Sequence, residues 1–292
     1  MLRVRPNSRR QLLLGAGALA GGLAWLDRSQ AAVNPQRIVS VGGALTETLC
    51  LLGAQGQLVG VDTTSLFPPD VRRLPSVGYA RALSAEGLMS LAPTLIVASD
   101  EAGPPTVLRQ LEAARLPLQI LKSDHQFEGV LERTRRLAEL AGRPKEGQTL
   151  LARLQQQWQQ ACEQVARSKA ARPPRVLFVL SHALNQVRVA GRKTAADAML
   201  GYAGAINVMD RFEGYRPLSG EAVIAAAPDV LLVTDMGLEA VGGVEAFLRM
   251  PGLAQTPAGA KKRVVSMDPS LLLGFGPRLP QAVMRLHELL HG

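Results

Sequence analysis

The sequence predicts an α/β protein of two similar lobes joined by one long helix, and three observations carry that prediction. Short apolar or β-branched runs alternate with helical patterns in both halves of the 292 residues. Between the halves, residues 145 to about 170 hold no Gly or Pro after Gly147. Finally, LSAEGLMSLAP at 83–93 returns as LSGEAVIAAAP at 218–228, with Gly-Tyr a few residues ahead of each.

The first residues read as an export address. MLRVRPN is basic, SRRQLLLGAGALAGGLAWL carries a short apolar core, and SQA ends on a small residue at Ala31. Ser8-Arg9-Arg10-Gln11-Leu12-Leu13-Leu14 resembles a twin-arginine signal. Residues 1–31 are therefore expected to be removed near Ala31, leaving a soluble protein in the periplasm; an uncleaved anchor is the alternative. The formal charge of +9 falls to +5 once the five Arg and one Asp of that segment are set aside. Most of the basicity is thus not a nucleic-acid surface, and no nucleic-acid partner is expected.

Residues 32–124 are read as the first lobe. RIVSV (37–41), LVGVD (58–62), TLIVAS (94–99) and LPLQIL (116–121) are its strands, with helices near 46–53, 84–92 and 104–115. Continuous apolar strands separated by helices predict a parallel sheet covered on both faces. Residues 125–171 are read as a helical segment. An amphipathic helix (127–141) stops at Gly142-Arg143-Pro144, and a long Gln-rich helix follows, reaching roughly 35 Å at 1.5 Å per residue. ARPPR (171–175) breaks it, and residues 172–292 form the second lobe. VLFVL (176–180), DVLLVTD (229–235) and RVVSMD (263–268) are strands, Thr194 caps a helix, and PQAVMRLHELLHG closes the chain. Cys50 and Cys162 fall in separate helical patterns and are expected to stay unpaired.

In the repeated unit, Ser84 and Ser219 stand where a helix N-cap belongs and Glu86 and Glu221 in the first turn. A first-turn Glu favours the helix dipole, which would alone explain it. Two exposed acids at equivalent places also suit a partner with two equivalent halves. Both readings stand on the residues alone.

The layout, with VGVDTTS (59–65), LPSVGYARALSAEGLMSL (74–91), EAGPP (101–105) and GRKTAADAML (191–200), resembles the substrate-binding proteins of ABC importers for haem, siderophores and cobalamin, the haem branch above all. The resemblance covers essentially all of the mature chain. It implies the class III fold, in which two Rossmann-like lobes are joined by one rigid helix. It implies haem as transported ligand and a monomer that delivers it to a permease dimer with a cytoplasmic ATPase. It makes Tyr79 the axial ligand of the iron and Glu86 and Glu221 the permease-docking acids. Ferric iron is a hard acceptor that a phenolate suits. Arg81, two residues on in an extended loop, would project to the same side and favour the anion. Tyr215 would face the crevice from the other lobe, with Arg216 beside it at a haem propionate. Phe275 would lie against a porphyrin face and Arg278 meet an anionic edge. His182, just after a strand, is read as a second iron ligand against the more ordinary reading of a hydrogen-bonded His.

The competing reading is a ferric siderophore or a corrinoid on the same scaffold, with Tyr79 as pocket wall. Divalent-metal sites favour clustered His, and the four here are scattered. No enzyme is expected. VGGALTETL lacks the G-x-G-x-x-G that a dinucleotide-binding enzyme would carry after its first strand.

Overall fold

Four short apolar strands make the first sheet. β1 (Ile38–Val41), β2 (Leu58–Val61), β3 (Leu95–Ser99) and β4 (Leu118–Leu121) are all parallel, in the order β2-β1-β3-β4. Every residue of β1 and nearly all of β3 is buried, as strands covered on both faces require. Helices α1 (Gly43–Leu51), α2 (Ala85–Ser90) and α3 (Pro105–Ala113) connect them. The computed structural model describes residues 36–168, 172–181 and 187–291. The expected signal at 1–31 and His182 lie outside the described residues.

α4 (Phe127–Leu140) follows β4, and Gly142 at φ 66° turns the chain into α5 (Pro144–Arg167). α5 is a 24-residue helix, about 36 Å long at the usual rise. Its buried stripe, Gly147, Leu150, Leu154 and Ala161, repeats at helical spacing. Gly147 is there for closeness: a Cβ on it would stand 2.4 Å from that of Ala138 on α4.

The second sheet holds β5 (Arg175–Leu180), β6 (Arg188–Ala190), β7 (Ile206–Asn207), β8 (Tyr215–Pro217), β9 (Val230–Thr234) and β10 (Val264–Met267). Helices α6 (Ala195–Tyr202), α7 (Gly220–Ala226), α8 (Asp235–Ala240), α9 (Val244–Leu248), α10 (Pro257–Ala260), α11 (Pro269–Leu273) and α12 (Leu279–His291) accompany them. The three strands read from the sequence, now β5, β9 and β10, are parallel as expected, and three shorter strands join them. β10-β9-β5-β7 runs parallel and matches β4-β3-β1-β2, whereas β6 runs antiparallel to β5 and β8 antiparallel to β6. β7 pairs with the start of β5 at Arg175, while β6 pairs with its end at Val179. Two short strands thus share the edge that β2 holds alone in the first lobe.

Both copies of the repeated unit fold alike. Ser84 Oγ accepts from Gly87 N at 3.3 Å, and Ser219 Oγ from Ala222 N at 3.5 Å. Ala92 (φ 44°) and Ala227 (φ 43°) both take the left-handed conformation just before Pro93 and Pro228. Leu95 and Val230 then open β3 and β9, which hold the same place beside β1 and β5.

Each sheet has its own outer core, but the inner core is shared. One buried cluster runs from Ile38, Leu45 and Leu49 through Leu137, Leu150 and Leu154 to Phe178, Met199 and Leu286. α5 is packed between α4 and α12 within it. Residues from both sheets and the linking helices thus form one compact unit.

Candidate functional site: the crevice between the lobes

The crevice is built from the loops that follow strands. Gly42–Glu47 follow β1, Thr64–Phe67 follow β2, Ser99 and Glu101 close β3, Ser123 and His125 follow β4, and Ser270–Arg278 follow β10. All therefore lie at the carboxyl edges of the two sheets, where α/β folds collect their ligands.

A buried carboxylate sets the first wall. Asp62, 2% exposed, accepts from Gly42 N (2.9 Å), Thr64 Oγ1 (2.6 Å) and Ser65 Oγ (2.8 Å). This ties the end of β2 to the start of α1. Gly43 allows the close approach, since a Cβ there would sit 2.4 Å from Thr64 O.

The Tyr79 loop is stitched on both sides. Thr63 N donates to Gly78 O, Gly103 N to Ala80 O and Leu83 N to Gly103 O, all at 2.9 Å. Ala82 N donates to Tyr79 O at 2.8 Å, so residues 79–82 form a turn and not the extended loop expected from the sequence. The fixed backbone holds out a phenol whose residue is 47% exposed. Arg81 pairs with Glu101 at 2.8 Å, and that hydrogen bond, opposed by desolvation, holds the guanidinium above its ordinary pKa. Tyr79 from its own loop and Tyr215 from the opposite lobe are both near enough to act on Arg81 electrostatically.

Tyr215 sits on β8 opposite Ala190, half-buried. Burial raises its phenol pKa, a hydrogen bond with the Thr194 side chain works the other way, and the group stays neutral near pH 7. Arg216 is the next residue on the same strand and so projects to the other face. It lies over the Phe212 ring, 4.7 Å from the centroid. The expectation that Tyr215 and Arg216 face the crevice together is thus corrected by strand alternation.

Phe275 and Arg278 line the crevice, but neither is placed as the sequence led us to expect. Phe275 is only 3% exposed and meets His125 edge-on at 5.2 Å, so no open ring face is offered. Arg278 is already paired with a protein carboxylate. Its Nε and Nη2 donate to Glu47 at 2.7 and 2.8 Å, and its guanidinium rests 4.0 Å from the Phe67 centroid. This fork crosses the lobes and closes the crevice floor. Gly276 fits tightly beside it, where a Cβ would stand 3.2 Å from Ala44 Cβ. Arg133 makes a second tie, donating to Lys122 O and Phe275 O at 2.7 Å each.

Glu47, Glu101, His125 and Arg133 are crevice residues that the sequence reading did not pick out. Burial lowers the His125 pKa most, with Glu101 opposing, so the ring is neutral at pH 7. Glu86 and Glu221 lie away from this wall on α2 and α7. Both are exposed, and among the described residues neither has a cationic side chain within ion-pair distance. Among the described residues there is also no cluster of His, Cys, Asp or Glu fit to hold a bare metal ion.

A sequence profile of the periplasmic binding protein family matches residues 38–271. The chain belongs to that family. Members are substrate-binding transport proteins, and the class III fold agrees with the solved structures. This binding protein is 49% identical to the periplasmic haem-binding protein BhuT, solved in complex with two haems; the match covers 88% of this chain and 98% of that one, at a TM-score of 0.84. It is 42% identical to the periplasmic haem-binding protein RhuT of Roseiflexus sp. RS-1 in its apo form, over 88% and 98% of the two chains, again at 0.84. More distant relatives include the ABC transporter substrate-binding lipoprotein YvrC of Bacillus subtilis (25% identical, 88% of this chain and 81% of the relative) and a cobalamin-binding protein of Halobacterium salinarum (24%, 88% and 70%).

Proposed function

We propose that the protein captures ferric haem between its lobes in the periplasm and delivers it to an ABC importer. The phenolate of Tyr79 bonds the iron, and Arg81 favours the deprotonated oxygen. The observation that carries this reading is the exposed Tyr79 phenol on a backbone fixed at both ends, with Arg81 beside it and Tyr215 across the gap. The two haem-binding proteins matched over nearly all of their length support haem over other cargo. A phenolate oxygen is a hard donor that suits ferric iron, and Arg81 places a cation beside it.

The deciding experiment is a titration of the apoprotein with hemin, followed in the Soret region and in the visible, where a phenolate-to-iron charge-transfer band would appear. The expected result is a saturable Soret shift with a charge-transfer band. A cobalamin-binding relative favours a second reading, a corrinoid in the same crevice. Tight cyanocobalamin binding with no response to hemin would establish that reading in place of haem; a ferric siderophore is tested in the same format.

Glu86 and Glu221 are assigned to docking on the permease. Glu86→Ala with Glu221→Ala is expected to leave the hemin titration unchanged and to abolish haem-stimulated ATP hydrolysis by the importer in proteoliposomes. Unchanged stimulation would reduce both acids to helix-dipole partners.

A further inference from the structure

The repeated unit carries more than its acids. Aligned without gaps, Glu86, Leu88 and Met89 on α2 stand opposite Glu221, Val223 and Ile224 on α7. Leu88 and Val223 are fully buried and anchor each helix to its lobe. Met89 is 42% exposed and Ile224 44% exposed. Each follows its Glu by three residues, so acid and apolar side chain share one helix face a turn apart. A single exposed apolar residue needs no explanation. Two at matched positions, equally exposed, each beside an acid without an ion-pair partner among the described residues, form a pattern that packing of the lobes does not account for.

We infer that Met89 and Ile224 are the apolar halves of two equivalent docking patches, each engaging one half of a two-fold permease dimer. This rests on the reading that Glu86 and Glu221 dock there. The complementary surface is defined by chemistry: a cation for the carboxylate and, about one helical turn away, a shallow apolar recess. Charge complementarity selects this occupant, since two acids at pseudo-equivalent sites suit two identical basic patches and disfavour a second copy of the same acidic face. The halves of the patch have separate tasks. The carboxylates steer the encounter and are weakened by salt, whereas the apolar side chains slow departure and are not. Burying two such side chains at a well-packed contact supports an effect on the order of tenfold or more in affinity.

The test uses the full-length mature protein and the same organism's permease–ATPase complex in nanodiscs, with affinity measured from low to high salt. Met89→Gln with Ile224→Gln is expected to bind roughly tenfold more weakly at every salt concentration, with the hemin titration and the salt slope unchanged. Glu86→Ala with Glu221→Ala is expected to flatten the salt slope. Parental affinity in the Gln pair overturns the inference. If the Glu pair is weakened in that case, the docking reading survives alone; if it too binds normally, both fall. A Gln pair that alters only self-association in sedimentation assigns the face to a homodimer and also overturns it.

Discussion

Replacing Tyr79 with Phe or Ala is expected to abolish the phenolate charge-transfer band of the haem complex. Affinity for hemin should weaken by roughly tenfold or more, the scale on which metal sites respond to lost ligation or support. Phe keeps the ring and removes only the oxygen, so it separates iron bonding from packing. The side chain is about half exposed, and the loop is held by backbone hydrogen bonds that do not involve the ring. Folding should therefore be spared, and a thermal melt of each apoprotein checks it. An unchanged spectrum in Tyr79→Phe would remove the phenolate from the iron and pass the ligand role to another group in the crevice.

The second large effect concerns stability. Glu47 is 5% exposed and holds both donors of the Arg278 fork from the opposite lobe. Removing one partner strands the other charge, so Glu47→Ala is expected to cost about 3 kcal/mol. Urea unfolding should report it as a lower midpoint at constant slope. Glu47→Ala with Arg278→Met should recover much of the loss, because no charge is then stranded and Met still covers Phe67. Equal losses in the single and double variants would place the cost in packing instead of in the ion pair.

These two sites also mark what the sequence disclosed and what it hid. The sheets were legible because IVSV, LIVAS and VLLVT are apolar but for one hydroxyl residue each, a pattern that suits strands buried on both faces. The capped units at Ser84 and Ser219 were legible because cap, acid and proline recur at fixed local spacing. The Glu47–Arg278 fork was not, for its partners are 231 residues apart and nothing near Arg278 in the chain points to Glu47 as its partner. β6 and β8 escaped because three residues are too few for a period, and β8, at the sheet's edge, asks for no apolar run. The orientation of Arg216 followed from that omission: once its segment is a strand, it must point away from Tyr215.

The inner core has a consequence for how the molecule comes apart. Val176 and Phe178 of the second sheet belong to the same buried cluster as Ile38 and Leu45 of the first, with Leu150 and Leu154 of α5 between them. Melting one half would strip the cover from the other, so neither is a free-standing folding unit. The protein should lose its structure in a single step, and a partner that pries the halves apart strains both at once and recovers that strain when it lets go.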